Sequence, residues 1–395
     1  MSEPWLTIVG MGEDGVAGLS ATSQAALDAA EVVMGPPRHL GLIPDGDARR
    51  FEWPVPFADG IEVLAGLRGQ KVVVLASGDP FWFGAGSVLA RHFKASEWVA
   101  LPGVPSFSLA AAQLGWALED TTCLGLHAAP LSRMRRHLAP GVRLLVTLRD
   151  GGAVADLATC LKGLGFGAST LHILERLGGP QARLTTTMAE KVSGQFEHPM
   201  LAAIEVAGNG QALSTATGQS DQTFDHDGQI TKRPVRAITL STLAPKPGEH
   251  LWDVGGGSGS VALEWLLSAP DTTATCIEIR SDRAARILAN ADALGVAHRL
   301  TVIEGRAPEV LASLAPPDAV FVGGGLSEPV LDTARATGAR LVANAVTLEG
   351  EALLAAAQAA HGGQLMRIDL SHCAPLGSKR GWSASYPVVQ WSLSA

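Results

Sequence analysis

Residues 251–259 read Leu-Trp-Asp-Val-Gly-Gly-Gly-Ser-Gly, a short apolar strand running straight into a glycine-rich turn. The glycines at 255, 257 and 259 give a G-x-G-x-G spacing, tighter than the G-x-G-x-x-G of a dinucleotide site. After a helix-length interval, Ala274-Thr275-Cys276-Ile277 makes a second apolar strand that ends on Glu278. Strand, glycine turn, helix, strand and acid together describe a nucleotide-type site. The turn lets a ligand approach the backbone, and the acid accepts from two ribose hydroxyls. Glycine turns also serve packing alone, and the correctly placed acid is what points to a ligand. The short spacing, with Asp253 ahead of the first glycine, favours S-adenosylmethionine over NAD, because there is no pyrophosphate to cradle.

The pattern around this turn is α/β. Strands are predicted at 250–254, 274–277, 300–303, 319–322 and 340–345, and two more in the tail at 364–370 and 387–393. A helix is predicted at 236–243, stopping before Pro245. Another carries the stripe Ala284, Ile287, Leu288, Ala291 and Leu294, capped by Ser281 or Asp282 and closed by Gly295. Five βα units and a terminal strand pair match a seven-stranded Rossmann-like methyltransferase sheet. Ligands of such sheets lie beyond the carboxyl ends of the strands. Those ends carry Asp253 and Gly255, Glu278, Gly305, Gly323 and Asn344. The first half repeats the α/β alternation, with strands at 6–9, 71–76, 98–101, 143–148, 170–174 and 200–206. Helices are predicted at 21–30, 85–93, 107–114, 131–137 and 154–164. Residues 209–229, rich in Gly, Gln, Ser, Thr and Asp, read as a linker between a domain at 1–208 and one at 230–395.

Charge narrows the function. Acidic residues outnumber basic ones 20 to 16 up to residue 208 and 18 to 14 beyond it, within a net charge of −8. Neither half offers the basic stripe that a nucleic-acid partner requires. The small clusters Arg133, Arg135, Arg136 and Lys379, Arg380 fit solvated faces. Cys123, Cys160, Cys276 and Cys373 are widely spaced, with no C-x-x-C, so reduced thiols, no structural metal and a cytoplasmic location are expected. Neither a signal peptide nor a membrane span is expected.

Three loops in the first half share one form, a strand end, a tight turn and a helix start: Val9-Gly10-Met11-Gly12, Ser77-Gly78-Asp79-Pro80 and Pro102-Gly103-Val104-Pro105-Ser106. With these V-G-x-G, G-D-P and P-G-V-x-S loops the first half resembles the tetrapyrrole methylase family, whose fold has two α/β subdomains. The second half resembles the smaller decarboxylating methyltransferases of the corrin pathway, on Asp253 to Gly259, Glu304-Gly305-Arg306-Ala307-Pro308-Glu309, Phe321-Val322-Gly323-Gly324-Gly325 and the tail from Gly381. The resemblance covers nearly the whole chain outside the linker.

This resemblance implies two S-adenosylmethionine sites and a small tetrapyrrole substrate. The first site would use Gly10, Gly12, Gly78, Asp79, Pro80, Pro102, Gly103 and Ser106. The second would use Thr231, Asp253, Gly255, Gly256, Gly257, Ser258, Gly259, Glu278, Arg306 and Ala307. It further implies that the first domain methylates carbon 5 of reduced precorrin-6. The second domain would remove the ring C acetate carboxylate and methylate carbon 15, giving precorrin-8. A homo-oligomer is expected from the same relatives. One departure is that Gly305-Arg306-Ala307 replaces the Gly-Asp-Ala common in such relatives, and Arg cannot accept from the adenine amino group. Asn344, Lys379, Arg380 and His372 are candidate contacts to a polycarboxylate substrate at the second site. Lys379 and Arg380 also read as loop charges and His372 as a strand cap. Asp79 either orients substrate at the first site or caps the next helix. The rival reading is an RNA methyltransferase, which the charge distribution opposes. The N-P-P-Y loop of such enzymes is also missing after the fourth strand, where Val322-Gly323-Gly324-Gly325 stands. An NAD enzyme is disfavoured by the glycine spacing, and a non-catalytic carrier would leave two donor sites unexplained.

Overall fold

The computed structural model describes residues 4–394. It divides into two compact units. The first runs to Gln211 apart from residues 132–136, which group with the second unit from Ala212 onward.

The first unit holds two five-stranded sheets. One comprises β1 (Leu6–Met11), β2 (Val32–Gly35), β3 (Arg49–Glu52), β4 (Val72–Ser77) and β5 (Trp98–Leu101), ordered β3-β2-β4-β1-β5. All its pairings are parallel, so every strand delivers its carboxyl end to one edge. The central strands β1, β2 and β4 are apolar almost throughout, as burial on both faces of a parallel sheet demands. The other sheet comprises β6 (Thr121–Gly125), β7 (Arg143–Leu148), β8 (Thr170–Glu175), β9 (Arg183–Met188) and β10 (Met200–Glu205), ordered β6-β7-β10-β8-β9. Only its β6–β7 pairing is parallel. Strands β2, β3, β6 and β9 are additions to the sequence expectation. The segment predicted as a helix at 131–137 winds as a 3₁₀ helix.

The second unit is built on β11 (His250–Val254), β12 (Thr273–Glu278), β13 (Leu300–Glu304), β14 (Ala319–Val322), β15 (Arg340–Ala345), β16 (Gln364–Ile368) and β19 (Val388–Leu393). Between the last two, β17 (Ser371–Leu376) and β18 (Lys379–Ala384) pair as a separate hairpin. These form one seven-stranded sheet, as the sequence implied, in the order β13-β12-β11-β14-β15-β19-β16. Alternation along β11 explains its two-sided core. Leu251 packs with Phe321, Trp265 and Ile287 on one face, while Trp252 and Val254 pack with Val320, Leu341 and Trp391 on the other. Helix Ser281–Ala293 buries Ala284, Ile287 and Ala291 of the expected stripe, but Leu288 stays about half exposed at 48%.

The stretch expected to be a linker is packed against the second unit instead. Phe224 is buried in its core and Leu213 packs beside it. The backbone N–H groups of Gly218 and Gln219 donate to Glu264 at 2.6 and 2.8 Å. Arg236, fully buried, pairs its Nε with the same carboxylate at 2.6 Å and its Nη2 with the Gln219 carbonyl at 2.6 Å. Asn290 adds a second clip, accepting from the Asp225 N–H and donating to the Asp225 and Ser258 carbonyls. A polar composition alone signalled a loop, whereas these polar groups find partners on buried helices. Among the described residues no helix is long and apolar enough to cross a membrane.

Candidate functional site

In the second unit, β11 lies between β12 and β14, so chain connections leave in opposite directions on its two sides. That opens a crevice at the strands' carboxyl ends. The glycine turn fills this position. Gly255, Gly257 and Gly259 all have positive φ, at 75°, 60° and 76°. A Cβ on Gly255 would stand 2.5 Å from the Gly324 Cα, so two backbones cross where a side chain has no room. Gly255 and Gly256 donate to the Ile277 carbonyl, and Gly323 and Gly324 to the Val254 carbonyl. Glu278 is 4% exposed; its carboxylate accepts from the Gly257 N–H at 2.9 Å and the Arg280 N–H at 3.0 Å. Each oxygen keeps acceptor capacity for a hydroxyl pair. Gly305 donates to the Glu278 carbonyl, bringing the third strand end to the same place.

Asp253 is buried beneath the turn. Its Oδ2 accepts from the Ala262 N–H at 3.1 Å, while Oδ1 has no partner among the described residues. Burial, and then the Glu278 charge, raise its pKa to about 7. Cys276 donates its thiol towards Asp253 at 3.9 Å, and burial pushes that thiol well up. Ser258 is buried, and its hydroxyl has no partner among the described residues. Thr231 gives its carbonyl to Arg236, and the neighbouring Gln229 carbonyl lies within 3.9 Å of where a Gly257 Cβ would be. Ala307 packs at the edge of the core, and Arg306 is exposed.

The substrate candidates separate. Asn344 sits at the end of β15 and is tied by its own amide. It donates to Thr239 at 3.0 Å and accepts from Gln390 at 2.9 Å. His372, Lys379 and Arg380 are exposed on the β17–β18 hairpin, which rises from the same sheet edge because Ile368 and Ala345 both pair near the start of β19. His372 lies within β17 rather than capping a strand end.

The first unit gathers its three loops as tightly. Gly78 donates to the Met11 carbonyl and Gly103 to the Gly78 carbonyl, both at 3.0 Å. A Cβ on Gly10 would fall 1.8 Å from the Gly78 oxygen and 2.4 Å from the Gly103 nitrogen. Gly12, Gly78 and Ser106 line one cleft together with Met11, Val104 and Leu109 from the first sheet's side and Leu174, Pro199 and Met200 from the second. Asp79 does not cap the following helix, whose N-cap is Gly84. Its Oδ1 accepts from the Phe81 N–H at 2.8 Å, closing a local turn. Pro80 is buried and its carbonyl accepts from Gly86, while Pro102 is exposed.

Sequence reasoning missed Glu13, Arg38, His39 and Ser77, which meet at this cleft. Arg38 pairs with Glu13, and its Nη2 reaches His39 Nε2 at 2.7 Å and Ser77 Oγ at 3.0 Å. The available signal was the apolar run Val32-Val33-Met34 ahead of Gly35-Pro36-Pro37-Arg38, a short buried strand whose end faces the same edge.

Residues 5–192 match the family model of tetrapyrrole (corrin/porphyrin) methylases, and residues 222–395 match that of the precorrin methyltransferase domain. The chain is 49% identical over 399 residues to a Sinorhizobium sp protein named precorrin-6Y C(5,15)-methyltransferase (decarboxylating), covering 98% of this chain and 96% of that one. A Mycobacterium tuberculosis protein of the same name is 39% identical over 399 residues, covering 98% and 99%. A Salmonella typhimurium protein named cobalt-precorrin-7 C(5)-methyltransferase is 28% identical over 192 residues, covering 49% of this chain and 94% of that protein.

Proposed function

The chain belongs to the family of decarboxylating precorrin-6Y C(5,15)-methyltransferases, and from that premise we propose a two-site division of labour. The chain is an S-adenosylmethionine-dependent C-methyltransferase that also decarboxylates its corrin precursor. In this reading the first unit methylates carbon 5, and the second decarboxylates the ring C acetate and methylates carbon 15. The observation that carries it is the pair of separate glycine-crossed strand ends, one in each unit, where backbone has been kept bare of side chains. A relative named for the C(5) reaction alone, matching about half of this chain, supports the separability of the two methylations.

The residues fit the donor. Glu278 would take the ribose hydroxyls. The backbone of Gly255 to Gly259 would pass beside the methionine portion, and Asp253 below it offers a buried acceptor to the donor's cationic end. Gly10, Gly12, Gly78, Gly103 and Ser106 would do the equivalent in the first unit. Bound S-adenosylmethionine supplies a methyl group already activated on a sulfonium. The protein's task is therefore to align an electron-rich meso carbon with that methyl and to keep water out. Loss of carbon dioxide leaves an electron pair that the conjugated macrocycle can accept, so the substrate is its own electron sink. Asn344 and the exposed Lys379 and Arg380 are offered as contacts to the substrate's carboxylates. A cytoplasmic location and self-assembly belong to the same proposal.

The test is mass spectrometry of the product made from S-adenosylmethionine and reduced precorrin-6. The expected product has gained two methyl groups and lost one carbon dioxide. Asp253→Ala with Glu278→Ala should abolish methylation at carbon 15 and spare carbon 5. If both methylations persist, the assignment of carbon 15 to the second unit is wrong.

A further inference from the structure

We propose that Arg38 is a carboxylate anchor in the cleft of the first unit, taking either a carboxylate arm of the tetrapyrrole or the α-carboxylate of the methyl donor. This rests on the reading of that cleft as the carbon 5 site. Arg38 belongs to the short helix Pro37–Leu40 after β2, and it reaches past the end of β4 towards the loop after β1. It lines the cleft with Gly12, Gly78 and Ser106, so its guanidinium and the expected donor loops share one wall.

Its partners fix it without using it up. A guanidinium only donates, so His39 Nε2 must accept and the ring must be neutral. Burial and the neighbouring Arg38 charge lower the His39 pKa to about 3, which keeps the ring neutral near pH 7. Glu13 takes one Nη1 hydrogen, and His39 with Ser77 takes the Nη2 pair. Of the five donors, the Nε hydrogen and one on Nη1 remain without a partner among the described residues. The side chain keeps 29% of its surface accessible, so the cation is held in a half-buried place with donors to spare. Burial lowers its pKa to about 10, still leaving it charged near pH 7. Its field extends across the cleft, adding to burial in lowering the pKa of His198, next to the cleft residue Pro199. A planar, oriented, partly desolvated guanidinium suits a carboxylate better than a mobile ammonium does.

The two ligand sources separate experimentally. In the full chain carrying Glu278→Ala to silence the second donor site, Arg38→Gln is titrated with S-adenosylhomocysteine and with methylthioadenosine, which lacks the carboxylate. If the donor is anchored, the first ligand weakens about 10- to 100-fold and the second is unchanged. If the substrate is anchored, neither changes, and the KM for the tetrapyrrole in carbon 5 methylation rises by about the same factor, with partial recovery in Arg38→Lys. Equal weakening of both nucleosides with a lowered melting temperature would make Arg38 a structural clip and overturn the proposal. No change beyond twofold in either affinity or in KM would overturn it too. Gly10→Ala in the same assay tests the underlying reading. If it abolishes carbon 5 methylation while Arg38→Gln is silent, only the anchor fails; if carbon 5 methylation survives it, the site assignment itself fails.

Discussion

Replacing Glu264 with alanine tests whether the 212–229 segment is a structural part of the second unit. Glu264 is 2% exposed and accepts three hydrogen bonds there, from Arg236 Nε and from the Gly218 and Gln219 N–H groups. Its removal leaves a fully buried guanidinium with Asp221 and backbone carbonyls only. Breaking a buried pair from one side costs about 3–5 kcal/mol, mostly for the stranded charge. At about 2–4 °C per kcal/mol for a domain of this size, the second unit should melt roughly 6–20 °C lower. Because Arg236 keeps those other acceptors, the lower half of that range is expected. Limited proteolysis should open new cleavage within 212–229. Donor affinity at the second site should also fall, since Arg236 holds the Thr231 carbonyl, two residues beyond the Gln229 carbonyl that lies beside Gly257 of the glycine turn. Joint replacement, Arg236→Leu with Glu264→Leu, should recover part of the loss because no charge is stranded. A shift below about 2 °C in Glu264→Ala, or a double variant no better than the single, would refute the reasoning.

Gly10→Ala places a methyl carbon 1.8 Å from the Gly78 oxygen. It should eliminate carbon 5 methylation while leaving carbon 15 methylation intact, read by product mass. The raised pKa of Asp253, about 7 against an ordinary 3.8, fixes the sign of a pH effect. The native state holds a proton that the unfolded chain releases, so stability from this residue is full below pH 3.8 and is lost as pH rises through about 7. The loss is about 4 kcal/mol at most, and Asp253→Asn should flatten it in denaturant titrations of the ligand-free protein across that window. Because buried histidines with lowered pKa values push stability the other way over this range, the test is the difference between wild type and Asp253→Asn, and a difference that does not grow with pH would contradict the burial argument.

The elements legible in the sequence were those whose patterning is decided by burial. Strands β1, β4, β11 and β14 are largely apolar and each is followed at once by a glycine, which names both the strand and its functional end. Strand β3, Arg-Arg-Phe-Glu, was invisible because an edge strand exposed along its length has no alternation to read. β9 is an edge strand of the same kind. β2 has an apolar pattern, but four residues followed by two prolines give too short a signal. Arg38 was lost with it, since its role depends on what β2 stands beside. The 212–229 segment was misread because hydrogen-bond partners on distant helices leave no mark in local composition. Asn344 was correctly placed at a strand end, yet its bonds to Thr239 and Gln390 come from two other elements that no spacing links to it.

The crossing of Gly10, Gly78 and Gly103 also limits how the first site could be redesigned. Where three bare backbones touch, there is no side chain to exchange, and even one added carbon collides. Selectivity for a different acceptor therefore cannot be tuned at the loops themselves. It has to be written into the residues that face them across the cleft, among them Leu174 and Met200, whose size can change without moving the crossing.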